Sequence, residues 1–157
     1  MQATSTLRLH HIGFVVEKLE EAAAHYQDNL GYCIESPVID DLGQGATVQF
    51  LRQPGALHWL ELVSPLGGGS SLWKALDRGT SLHHQCYETE DIAASLGQLR
   101  SNGCMALGRP QPGAAFAGRP IAWMMDPYKG LIELVEAGEG ARSLAELDRL
   151  NQEAVHA

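Results

Sequence analysis

The 157-residue chain has 19 acidic and 11 basic side chains, a net charge of −8, 45% hydrophobic and 19% charged residues. These are the proportions of a soluble globular domain with room for a sizeable core, and an acidic balance without a basic block argues against nucleic acid as the main partner, though not against a small anionic substrate in a locally positive pocket. Three cysteines, Cys33, Cys86 and Cys104, form no C-x-x-C pair and point to a reduced, cytoplasmic home; the polar residues 1–6 show no apolar signal segment, and no apolar run approaches the roughly eighteen residues of a membrane span.

Residues 9–16 read as a buried strand. Residues 17–29 change to helical spacing, with Leu19, Ala22, Ala23, Tyr26 and Leu30 on one face, and Gly31 stands where a glycine usually ends a helix. Residues 32–38 look extended, 40–45 form a turn-rich loop, 47–52 alternate as a strand, and 57–63 follow as another after Gln53-Pro54-Gly55. Pro65 and Gly67-Gly68-Gly69 close this half, with a short helix expected at 70–77.

The second half repeats the plan. A strand at 82–87 precedes a helix at 91–101 with Ile92, Leu96 and Leu99 inward, ended by Gly103. A Gly/Pro-rich loop at 108–118 leads to strands at 120–125 and 131–136, joined by a turn at Asp126-Pro127. Gly138-Glu139-Gly140 then breaks the pattern, and Ser143 caps a last helix carrying Leu144, Leu147 and Leu150, expected to lie on the sheet or on a neighbouring subunit. The expected fold is α+β: a βαβββ module at 1–66, a linker with a short helix at 67–80, a second module at 81–137, and a C-terminal helix at 138–157. The two modules would make one domain, with a curved mixed sheet or half-barrel cleft.

Four of these strands each carry a polar residue amid apolar neighbours. Glu133 lies within Gly130-Leu131-Ile132-Glu133-Leu134-Val135, and Glu61 within Trp59-Leu60-Glu61-Leu62-Val63. His11 heads His11-Ile12-Gly13-Phe14-Val15, and His84 heads His84-Gln85-Cys86-Tyr87. A buried carboxylate must find a cation, a donor or a proton. His11 and Glu61 are 50 positions apart and His84 and Glu133 are 49, so the two halves place the same residue types on corresponding strands. Two imidazoles and two carboxylates suit one divalent ion, zinc, nickel, cobalt or manganese, with open positions for water or substrate. Period-two alternation puts His10 and His83 on the opposite faces, as structural or orienting residues, and a one-residue slip would exchange the members of each pair. His25, His58 and His156 read as solvated. Cys86 shares the face of His84 and reads as a small buried hydrophobe. Trp123, Met124 and Met125 alternate between core and pocket wall.

With Leu9-His10-His11-Ile12-Gly13, Leu30-Gly31-Tyr32, Glu61-Leu62-Val63-Ser64-Pro65-Leu66, Leu82-His83-His84 and Leu131-Ile132-Glu133-Leu134, the chain resembles the vicinal oxygen chelate superfamily over roughly residues 9–137. Members include glyoxalase I, extradiol dioxygenases and methylmalonyl-CoA epimerase, the last being the most similar. The resemblance implies metal ligands at His11, Glu61, His84 and Glu133, and proton abstraction beside a carbonyl, with Glu133 or Glu61 swinging off the ion as base. Some such epimerases carry a glutamate, thought to be a base, where this chain has Thr47-Val48-Gln49, so a two-base epimerisation does not carry over intact. Coenzyme A phosphates would want cations, and Arg52, Arg109, Arg119 and Lys129 are candidates. The expected function is a metal-dependent isomerase or epimerase acting on a carbonyl or thioester substrate, working as a homodimer. The alternatives are a glyoxalase I-like lyase and a small-molecule-sequestering binding protein. A dioxygenase is disfavoured, because those members surround iron with two histidines and one carboxylate.

Overall fold

The structure, a computed structural model, describes residues 6–157, so the expectation for the polar start falls, apart from Thr6, outside the described residues. The chain divides into two compact units, residues 11–83 with 151–157, and residues up to 10 with 84–150. No helix among the described residues is long and apolar enough to cross a membrane.

The first unit runs through β1 (Arg8–Val15, from His11 onward), α1 (Leu19–Leu30), β2 (Cys33–Ile34), β3 (Ile39–Asp41), β4 (Ala46–Arg52), β5 (Trp59–Pro65) and α2 (Leu72–Asp77). Its strands lie in the order β2-β4-β5-β1, with β3 also pairing with β4. The β1–β5 pair is parallel and the others are antiparallel. Period-two alternation sends Leu51, Leu60 and Leu62 to one face, where they pack with Ala23 and with Leu19, Ala22 and Tyr26 of α1. Glu20 and Glu21 in the first turn complement the helix dipole. Gly31 ends the helix in the left-handed conformation at φ 73°, the geometry its position predicts.

Two expectations change here. Leu30, expected on the same face as Ala23, is 47% exposed where α1 ends, while Ala23 is buried. The loop expected at 40–45 starts inside a strand, since Ile39–Asp41 pairs with Val48, Thr47 and Ala46.

The second unit holds β6 (Leu82–Thr89, from His84), α3 (Ile92–Ser101), β7 (Met105–Ala106), β8 (Gln111–Pro112), β9 (Pro120–Met125), β10 (Leu131–Glu136) and most of α4 (Leu144–Val155). The order is β6-β10-β9-β7 with β8 on β9, and β6–β10 is again the parallel pair. Ile92 and Leu96 of α3 pack with Ala122, Met124 and Leu134 on one face, with Leu99 partly buried against them. The Asp91 side chain caps α3 by accepting from the Ala94 amide at 3.0 Å. The loop expected at 108–118 contains β8 and a single 3-10 turn at Ala114–Phe116.

The final helix is secured to its own chain. Ser143 Oγ accepts from the Glu146 amide, as its capping position predicts, and the Glu88 carboxylate accepts from the Leu144 amide. Leu144 and Leu147 are buried, Leu150 is half-buried, and Asp148 meets Arg8 in a two-pronged ion pair at 2.7 and 2.8 Å. Arg119 fixes the approach to this helix by donating to the carbonyls of Phe116, Glu136 and Ala141. In the first unit, Asn151 accepts from Arg52 and donates to the Ala56 carbonyl.

Candidate functional site

In the first unit the sheet face opposite α1 carries the polar residues of interest. The parallel register sets His11 beside Trp59 and Gly13 beside Glu61, so alternation puts His11 and Glu61 on one face. Phe50 stands opposite Glu61 on β4 and belongs to the same face. His11 Nε2 and Glu61 Oε1 are 3.6 Å apart, and the imidazole meets the Phe50 ring edge to face at 5.3 Å and 85°.

The second unit repeats this construction. Glu133 stands beside Cys86 on β6 and opposite Trp123 on β9, which places His84, Cys86, Glu133 and Trp123 on the face away from α3. His84 Nε2 and Glu133 Oε1 are 3.5 Å apart, and His84 meets the Trp123 ring edge to face at 4.9 Å and 78°. All four ionisable residues are buried, His11 at 0%, Glu61 at 6%, His84 at 3% and Glu133 at 4% exposure. The structure thus pairs the expected ligands within each unit, His11 with Glu61 in the first and His84 with Glu133 in the second.

The spacing inside each pair fits a shared ion better than a hydrogen bond. At 3.5–3.6 Å the two atoms are too far apart for a good N–H···O bond. Two ligand atoms each about 2.0–2.2 Å from one metal lie about 3–3.5 Å apart at ordinary coordination angles. Imidazole nitrogen and carboxylate oxygen also form a donor set that zinc, nickel, cobalt and manganese accept.

The surrounding residues sort themselves by face. His10 is fully buried, bonds through Nε2 to the Arg142 carbonyl and stacks edge to face on Phe116, a structural position. His83 is half-buried, while His25 is exposed and bonded to Asn29. His58 is not the solvated residue expected: it is half-buried, and burial, reinforced by the charge of His11, lowers its pKa below the ordinary value. Cys86 is buried on the ligand face, as its parity predicts.

On β4 the register gives Val48 and Phe50 to the ligand side. Gln49 points the other way and donates to the Ser36 carbonyl, and Thr47 bonds Asp40. No acid therefore faces the ligands from that strand.

The cation candidates also divide. Arg52 is engaged by Glu35 at 3.1 Å and by Asn151, and Arg119 by three carbonyls, so both serve the fold. Arg109 and Lys129 are exposed.

What sequence reasoning left out was Phe50 beside His11. Its signal was there: Phe50 precedes Glu61 by 11 positions and Trp123 precedes Glu133 by 10, so each aromatic falls opposite the glutamate across a hairpin.

Residues 10–123 match the family model described as the Glyoxalase/Bleomycin resistance protein/Dioxygenase superfamily. The chain belongs to this superfamily, with the strand plan and paired His–Glu placement expected of the vicinal oxygen chelate fold. Among its relatives, the ethylmalonyl-CoA/methylmalonyl-CoA epimerase of Cereibacter sphaeroides is 36% identical over 119 residues, covering 74% of this chain and 87% of that protein. The mitochondrial methylmalonyl-CoA epimerase of Mus musculus is 29% identical over 134 residues, covering 83% and 73%. The crystal structure of methylmalonyl-CoA epimerase from Mycobacterium tuberculosis superposes with a TM-score of 0.77 at 30% identity, covering 88% of this chain and 94% of that one.

Proposed function

We propose that His11, Glu61, His84 and Glu133 together hold one divalent ion, and that the protein is an epimerase acting beside the thioester carbonyl of an alkylmalonyl-CoA substrate. The single observation carrying this reading is the repeated buried histidine–glutamate pair at ligand spacing. The epimerase relatives supply the substrate class.

A bound ion would act as a Lewis acid toward the oxygens of the substrate. The carboxylate of Glu133 or Glu61 takes the proton from the carbon between the two carbonyl groups, the C–H electron pair becomes the enolate C=C bond, and the carbonyl π pair moves onto the thioester oxygen. Return of a proton to that carbon from the opposite side inverts it, and return from the same side restores it. The carboxylates suit the task because they are buried among apolar strands, where water cannot compete for the substrate proton. Reading residues 1–66 and 81–137 as two halves of one domain, with 67–80 as linker and 138–157 as an added helix, is part of the same proposal.

The test has two parts. The protein is purified without added metal and its ion content measured, and methylmalonyl-CoA and ethylmalonyl-CoA are incubated with it in D₂O with and without chelator. The expected result is deuterium at the α-carbon, abolished by chelator and restored by one of the four ions. Exchange that chelator leaves untouched would remove the metal from the reading.

One observation favours a second reading. Val48 and Phe50 leave β4 without an acid on the ligand side, so inversion must draw its second proton donor from elsewhere. A glyoxalase I-like lyase acting on a hemithioacetal, or a protein that sequesters such a ligand, needs no such donor from β4. Hemithioacetal turnover without thioester exchange would select the lyase. Tight binding without turnover of either substrate would select the sequestering protein.

A further inference from the structure

Each metal-binding histidine of the reading above rests against an aromatic ring that no metal chemistry requires. We propose that Phe50 and Trp123 are positioning residues that fix the imidazoles of His11 and His84, an inference that rests on the proposed metal site and goes beyond it.

The geometry is independent in the two units and the same in both. Phe50 lies opposite Glu61 on the neighbouring antiparallel strand, and Trp123 lies opposite Glu133. Each ring meets its histidine nearly perpendicularly, at 85° and 78°, with centroids 5.3 and 4.9 Å apart. In both pairs the histidine atom nearest the carboxylate is Nε2. An imidazole that turns about its Cβ–Cγ bond carries Nε2 away from that carboxylate, so a ligand histidine must be kept from turning. A perpendicular aromatic ring does this sterically, because the rotating imidazole would sweep into it.

The contact also has an electrostatic preference. Edge-to-face packing sets the positive rim of one ring against the negative face of the other. That preference holds the two rings of each pair near perpendicular, whereas an aliphatic side chain of similar bulk would fill space without holding the imidazole. That two halves of low mutual identity both place an aromatic residue there, phenylalanine in one and tryptophan in the other, points to the ring rather than the particular residue.

The test uses the full chain stripped of metal and titrated with Co²⁺, whose visible absorption reports ligand geometry. Phe50→Leu and Trp123→Leu are compared with Trp123→Phe, which keeps a ring. Leu62→Ala and Met124→Ala serve as packing controls, because both lie on the helix-covered faces. His11→Ala tests the metal site itself.

The leucine variants are expected to bind Co²⁺ about tenfold more weakly, at the low end for partners that orient a ligand, and to shift the visible band. Trp123→Phe should retain the wild-type band. The packing controls should melt earlier yet keep the wild-type affinity and band. Leucine variants with wild-type affinity and band would overturn the proposal, and so would controls that lose affinity equally, since packing alone would then explain the loss. Wild-type protein that takes up no Co²⁺, or His11→Ala that binds as well as wild type, would instead bring down the metal site on which the proposal stands.

Discussion

Gly130 lies so close to Asp126 that a methyl group on its Cα would stand 2.7 Å from the carboxylate oxygen Oδ2. The same carboxylate accepts from the amides of Tyr128 and Gly130, at 2.8 and 2.7 Å, and so shapes the turn between β9 and β10. That turn sets the register in which Glu133 faces Trp123.

Gly130→Ala should therefore cost about 1–3 kcal/mol, the range for an overpacked, well-bonded site, and should reduce metal content as the Glu133 register loosens. Gly68→Ala, with ordinary φ and open space around its Cα, is the neutral comparison. Thermal unfolding and metal analysis of the two variants check this. Equal melting temperatures would mean that Asp126 yields without cost.

Glu133→Gln and Glu61→Gln keep side-chain volume and remove one negative charge each. Both should lose metal by more than the roughly 10–100-fold that follows loss of an orienting partner, because a ligand itself is weakened. Loading the variants at high Co²⁺ separates ligand from base: the one that holds metal yet fails to exchange deuterium identifies the base. Full exchange by both would exclude either carboxylate as the group that takes the proton.

The Arg8–Asp148 pair makes stability depend on acid. The hydrogen bond from Arg8, and then its charge, hold Asp148 below the ordinary carboxylate value of 3.8. A carboxylate with a depressed folded pKa stabilises the fold above its unfolded pKa, and that contribution disappears as pH falls through the lower, folded value. The stabilising effect is thus complete above about pH 4 to 5 and fades below it. Both side chains are over 40% exposed, so solvent screening limits it to about 0.5 kcal/mol. Arg8→Gln should lower stability by that amount at pH 7 in low salt and make no difference near pH 2. An equal effect at both pH values would assign the loss to packing.

Asp91→Ala removes the cap of α3 and should destabilise the protein by about 1 kcal/mol, with Asp91→Ser recovering most of it. Denaturant unfolding is the measurement. Since Ile92 and Leu96 are buried against β9 and β10, the loss should appear in the cooperative transition rather than as local fraying.

Much of this was legible in the chain. Strands 120–125 and 131–136 matched to the residue, because Gly and Pro bound them and their apolar runs leave little choice. The helix faces followed from Ala23 and Leu96 at helical spacing. The candidate ligands followed from polar residues inside apolar strands, and burial of all four agrees with that reading. Short edge pairings were less visible: Ile39–Asp41 and Gln111–Pro112 have the composition of loops and become strands only because β4 and β9 offer them free backbone groups. The fates of Arg52 and Arg119 were likewise hidden, since their partners Asn151, Glu136 and Ala141 come close only through tertiary folding.

Arg119 bonds main-chain oxygens alone in the stretch from Glu136 to Ala141, apart from a distant Glu88. Every amino acid offers a carbonyl, so this anchor reads the path of the chain and ignores the identity of the side chains along it. Mutational drift is free to rewrite most of that connector without moving it. The exceptions are Gly140, whose φ of 104° strains any other residue, and Gly138, where any Cβ would come within 2.7 Å of the Arg119 side chain. A connector tolerant nearly everywhere thus has one position whose substitution pushes directly on its own anchor.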